Sequence, residues 1–258
     1  MFVPPPASSG IQPLKNHLTP SLASLFAASA LALGLGSCII TIDDGGAHWG
    51  SYSAFHSSGH GPRHTGSGVT GEDARDLPGI HSVELEGSLD VDVTVAPGAP
   101  QRVTVVGDDN LLAHVRTEVR DGVLYVDLDS GSYRMKQELR VVATVSELRE
   151  LDLEGSGDMS AFGVDAEVLA VHLDGSGDIE LSGRARVLDL RLNGSGDIDA
   201  AALHAEDAVV VLHGSGDIRV TATEELEVRL DGSGDIAYRG NPRLRATLSG
   251  SGDLHELD

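Results

Sequence analysis

The tetrapeptide Gly-Ser-Gly-Asp recurs six times, beginning at Gly155, Gly175, Gly194, Gly214, Gly232 and Gly250, which sets a repeat of 18 to 20 residues. Aligned on the first glycine, the copies share Leu153, Leu173, Leu192, Leu212, Leu230 and Leu248 two residues earlier. Four residues earlier stand Leu151, Val171, Leu190, Val210, Val228 and Ala246. Directly after each aspartate stand Met159, Ile179, Ile198, Ile218, Ile236 and Leu254. Variable, mostly polar residues fill the positions between, the pattern of a strand with one face in a core. A unit this short cannot enclose its own apolar face. Stacked units can, if each strand pairs with its equivalent one coil further on at about 4.8 Å. The expected fold is all-β: a parallel β-helix or solenoid with coils of 18 to 20 residues, right-handed by the preference of parallel crossovers. A propeller would need about 40 residues per blade.

The tetrapeptide reads first as the corner of each coil. A sharp corner needs positive φ or close backbone approach, which glycine accepts freely, while Ser and Asp bond turn amides. Stacking also aligns Asp158, Asp178, Asp197, Asp217, Asp235 and Asp253 in a column. Unit charges about 4.8 Å apart repel by roughly 0.9 kcal/mol even in bulk water. Three candidates could offset that repulsion: the neighbouring serines as donors, backbone amides, or divalent cations such as calcium. The column is therefore a candidate cation or ligand ladder. Calcium-binding nonapeptide solenoids offer an analogy, but their period is near nine.

Before the repeats, residues 75–148 show strand-like alternation with different turns. Val83 and Leu85 precede Gly87-Ser88-Leu89-Asp90, a degenerate first copy, and Val91, Val93 and Val95 follow it. Further runs reach Val145, broken at Gly107 to Asn110, at Asp121-Gly122 and at Ser130-Gly131. Asp-Gly between two such runs predicts a hairpin, so part of this region is expected to be antiparallel.

Composition agrees with many short strands and tight turns: 32 glycines against 3% aromatic residues. The 40 acidic and 18 basic residues give a net charge of −22 with no cationic cluster. Nucleic acid is thereby disfavoured as a partner.

The one cysteine, Cys38, follows an apolar stretch that runs without a charge from Leu18 and is preceded by Lys15. Leu35-Gly36-Ser37-Cys38 resembles the lipobox of bacterial lipoproteins, which implies a signal peptide over residues 1–37 and a lipid on Cys38. Ile39, rather than Asp, follows the cysteine, which tilts localisation toward the outer membrane. Residues 38–74, rich in Gly, Ser and His, read as a flexible tether. His48, His56, His60 and His64 lie there without partners at metal-ligand spacing.

From about Arg75 to Asp258 the chain resembles the bacterial family described as the putative auto-transporter adhesin, head GIN domain. The resemblance rests on Arg75-Asp76-Leu77-Pro78-Gly79-Ile80 with Val83 and Leu85, on Val91 to Gly98, on Val103 to Leu111, and on the repeated corners. It implies a β-helix-like domain on exported, often lipid-anchored proteins, and brings no catalytic residues with it.

The expected function is that of a non-enzymatic lipoprotein of the cell envelope, whose solenoid binds a protein or glycan surface partner. A polysaccharide lyase or esterase is the alternative, since β-helices host such chemistry, but fold analogy alone does not support it. Aromatic platforms are nearly absent from the repeats, and His172, His204, His213 and His255 are scattered. A passive structural or stress-related envelope component is a third reading. The last copy lies close to Asp258, so an exposed strand edge is expected there, with end-to-end self-association as one outcome.

Overall fold

The computed structural model describes residues 62–257; Cys38 and the segments read as signal peptide and most of the tether lie outside them. The repeats form a parallel β-solenoid in which every coil stacks on the one before. One wall runs through Ser82–Gly87, Glu150–Gly155 and the second halves of Met159–Gly175, Ile179–Gly194, Ile198–Gly214 and Ile218–Gly232, ending at Arg243–Gly250. The second wall holds Asp90–Val95, the first halves of the same long strands, Ile236–Arg239 and Leu254–Glu256.

The tetrapeptide corners stay in register throughout, with Gly87, Gly155, Gly175, Gly194, Gly214, Gly232 and Gly250 stacked. The unequal repeat lengths are absorbed at the far bend. Register slips there between Ala161 and Val164, Glu180 and Ser182, and Ala200 and His204. An extra residue at the corner would break a continuous hydrogen-bond ladder, whereas the far bend tolerates bulges.

The expected inward positions are the core. Leu151, Leu153, Val171, Leu190, Leu192, Val210, Leu212 and Ile218 are all fully buried. The last copy departs from this. Ala246 is exposed, Leu248 is 48% exposed and Leu254 is only half-buried, because among the described residues no further coil covers them.

Residues 96–149 form an excursion that leaves the first coil after Val95 and returns at Glu150, in register with Ser82. It closes the N-terminal end of the stack. Arg140–Val145 runs parallel to Asp90–Val95 and antiparallel to Arg102–Asp108. Val123–Leu128 runs parallel to Ser82–Gly87 and antiparallel to Val115–Arg120. The hairpin joining the last two turns at Asp121 and Gly122, with φ of 50° and 84°, as the Asp-Gly signal requires. In the degenerate copy Leu89 stands where later copies have their second glycine. A Cβ at Gly157 would meet the Leu89 carbonyl oxygen at 1.8 Å. Leu89 has no equivalent corner beneath it, and its buried side chain seals the end of the core.

The described part of the segment read as tether up to residue 74 carries strands. Arg63–Thr65 pairs with Ser132–Arg134, and Thr70–Arg75 pairs with Arg102–Asp108. The reason is a polar clasp. The fully buried Asp108 accepts N–H bonds from Gly68 at 2.6 Å, Lys136 at 2.8 Å and Gln137 at 3.0 Å. Asn110 receives the Ser67 N–H at 2.8 Å and donates to the Thr65 carbonyl at 3.0 Å. Burial opposes ionisation of Asp108, yet these donors hold its carboxyl below the usual range. His64 stacks on Tyr133, with ring centres 4.9 Å apart.

Candidate functional site

At each corner the serine N–H donates to the first glycine's carbonyl one coil earlier: Ser176 to Gly155 at 2.8 Å, Ser195 to Gly175 at 2.9 Å, Ser215 to Gly194 at 2.8 Å. The aspartate N–H goes instead to a side chain. Asp178 donates to the Asp158 carboxylate at 3.0 Å, Asp197 to Asp178 at 3.0 Å, and Asp217 to Asp197 at 2.8 Å. Asp235 donates to Asp217 and Asp253 to Asp235, both at 2.8 Å. Asp90 of the degenerate copy begins the series by accepting the Asp158 N–H at 3.0 Å.

The six expected aspartates are thus brought into one column, with Asp90 as a seventh member. Of the three ways to offset their repulsion, backbone amides are the one the geometry displays. Aspartate suits the position because its carboxylate is carried on a single methylene and spans one coil spacing to the next amide, and a charged acceptor strengthens the bond. The serines are exposed, and among the described residues their hydroxyls make no hydrogen bond to the column. Among the described residues no three His, Cys, Asp or Glu side chains converge as an ion cage would require.

Asp90, Asp158, Asp178 and Asp197 of the column form one side of an open groove of about 520 Å³, lined in all by eight carboxylates and two guanidinium groups. Asp92, Glu138, Glu180 and Asp199 enter it from beside the column. Arg140 lies 3.7 Å from Asp92, and Arg219 lies 3.3 Å from Asp199. Ser160 donates to Asp92 at 2.7 Å. Burial raises the Asp90 carboxyl above the usual range, and the charges of Asp158 and Glu138 add to it, against the hydrogen bond from Asp158. Asp92 and Asp199 follow their column aspartates by two residues, so strand alternation could have flagged them. Glu138 comes from the excursion, and no repeat signal marks it.

A second acidic patch lies on the outer face of the other wall, where Glu84 stands opposite Asp152 and Glu86 opposite Glu154. Burial, then the charges of Asp152, Glu154, Glu86 and Glu150, raise the Glu84 carboxyl. Burial likewise raises Asp152, against the pull of His172.

Residues 81–242 match the family model described as "Putative auto-transporter adhesin, head GIN domain". The fold is similar to that of a solved adhesin-type protein from Bacteroides fragilis, at 21% identity over 75% of this chain and 99% of the other, with a TM-score of 0.63. It is also similar to one from Parabacteroides merdae, at 18% identity over 77% and 100%, with a TM-score of 0.53. No curated protein matches the chain. With more than half of its length matched in one continuous span, the chain belongs to the auto-transporter adhesin, head GIN domain family.

Proposed function

We propose that the chain is a non-enzymatic adhesion module of the bacterial cell envelope. In this reading Cys38 carries a lipid that holds it at the membrane, and the aspartate groove receives a cationic surface of a protein or glycan partner. Family membership supports the adhesion role. The observation that carries the choice of face is the groove itself, where eight carboxylates outnumber two arginines on a stack held rigid by ladder hydrogen bonds. The lipobox-like residues before Cys38 support the anchor.

Two variant strains, set against a deletion strain, test this. In one, Asp158, Asp178 and Asp197 are changed together to Asn. Attachment to surfaces should fall toward the level of a deletion strain while the purified domain keeps its melting temperature. Attachment unchanged by the deletion itself would sink the adhesion role. In the other, Cys38→Ala should abolish incorporation of labelled palmitate and release the protein from membranes.

A further inference from the structure

We propose that Arg243–Gly250 is a self-complementary edge through which two copies of this chain join end to end. The two ends of the stack are built differently. Antiparallel strands and Leu89 cover the first end. At the other, Arg243–Gly250 pairs with residues 225–232 on one side only among the described residues, and all eight of its residues are exposed. Leu244 is 41% and Leu248 48% exposed, whereas Leu226 and Leu230, one coil back, are each 1% exposed. An edge of this kind is a template for another strand.

The occupant follows from the order of residues. The inward row Leu244, Ala246, Leu248 reads the same in both directions. Antiparallel pairing about a two-fold axis at Ala246 sets Leu244 opposite the partner's Leu248 and Ala246 opposite the partner's Ala246. That axis lies along the sheet normal, so inward faces stay inward and the two cores become continuous.

On the outer face Arg245 meets the partner's Thr247 and Arg243 meets the partner's Ser249, so no like charges oppose. The basic start of each strand runs toward the acidic corner that ends at the partner's Asp253. A slip of one residue would set inward against outward side chains. A slip of two would set Arg245 opposite the partner's Arg245, or in the other direction leave Leu244 opposite the partner's Gly250. The covered first end cannot accept the same edge, so the contact closes as a dimer and does not propagate into a filament.

Light scattering of the lipid-bearing protein in detergent micelles, corrected for bound detergent, should give twice the mass of one mature chain. Thr247→Arg places two cations opposite the partner's Arg245 residues and should weaken dimerisation about tenfold, while Thr247→Glu should strengthen it by a similar factor. In a Cys38→Ser background, Ala246→Cys should give a covalent dimer on oxidation. Residues directly opposite in an antiparallel pair lie about 4.5 to 5.5 Å apart, within reach of a disulfide. Ser249→Cys in the same background should not cross-link.

A monomer at about 0.1 mM would overturn the proposal, as would equal cross-linking at both positions or the two Thr247 variants shifting in the same direction. The cysteine pair decides the matter even if a Thr247 variant fails to fold.

Discussion

Replacing Asp197 by Asn and by Ala separates the two things its carboxylate does, accepting a hydrogen bond and carrying charge. It accepts the Asp217 N–H at 2.8 Å and stands one coil from Asp178 and Asp217. Two neighbours at about 4.8 Å repel it by roughly 1.7 kcal/mol in unscreened water, and by about 1 kcal/mol at physiological salt, where the screening length is about 8 Å. A hydrogen bond to a charged acceptor contributes about 1.5 to 3 kcal/mol and to a neutral one about 0.5 to 1.5. Asn keeps an acceptor, so the weaker bond and the relieved repulsion nearly cancel, leaving a net change within about 0.5 kcal/mol. Ala leaves the Asp217 N–H without that acceptor and should be less stable than Asn by about 1 to 2 kcal/mol. At about 2 to 4 °C per kcal/mol for a domain of this size, Ala should melt about 2 to 8 °C below Asn. Thermal melts at low and high salt measure both effects, since added salt should raise the wild type more than the Asn variant. If Asn falls with Ala, or millimolar calcium raises the wild-type melting point by several degrees, charge rather than the hydrogen bond is what the corner needs.

Gly216→Ala should be far worse than any change of the column, because its Cβ would meet the Gly196 carbonyl oxygen at 1.7 Å. Parting two coils enough to admit it breaks the local ladder, so a loss above about 4 kcal/mol or failure to yield soluble protein is expected. Ser215→Ala at the same corner should stay within about 0.5 kcal/mol. Glu84→Gln tests the second acidic patch. The folded pKa of Glu84 is raised, so its ionisation destabilises the fold at neutral pH, and that penalty disappears as pH falls toward its ordinary value of 4.5. The variant should melt higher than wild type at pH 7 and show a flatter rise on mild acidification. Asp108→Ala has the opposite sign. The folded pKa of Asp108 is lowered, so its contribution is present at neutral pH and is lost as pH falls below 3.8, its ordinary value, through the folded pKa. The variant should melt lower at pH 7 and lose less on acidification, and proteolysis should cut first near Gly66 to Val69.

Much of the fold is legible before any coordinates, because the side-chain period of a strand is two and the repeat is longer than ten residues and shorter than a propeller blade. Leu153 and its equivalents declare the inward face, and Asp121-Gly122 declares its hairpin from the positive φ that both residues must adopt. The column of aspartates is also written in the repeat, since stacking puts like positions one above another. What lies beside the column is not. Glu138 and Arg140 reach the groove from an excursion between Val95 and Glu150, and nothing in their local sequence says where that excursion folds back. The clasp of Asp108 on Gly68 joins residues 40 positions apart, so the ordered start of the domain was hidden in a stretch that composition alone reads as tether.

The repeat by itself determined a stacked β-architecture, its inward residues and its charged column, because those follow from periodicities local to the backbone. Only the tertiary structure decided that each carboxylate is held by the next coil's amide, that one end of the stack is sealed by Leu89 and antiparallel strands, and that the other leaves Leu244 and Leu248 uncovered. Hydrogen-bond partners, end caps and exposed edges depend on which distant segments meet, and that is fixed by packing rather than by any local pattern.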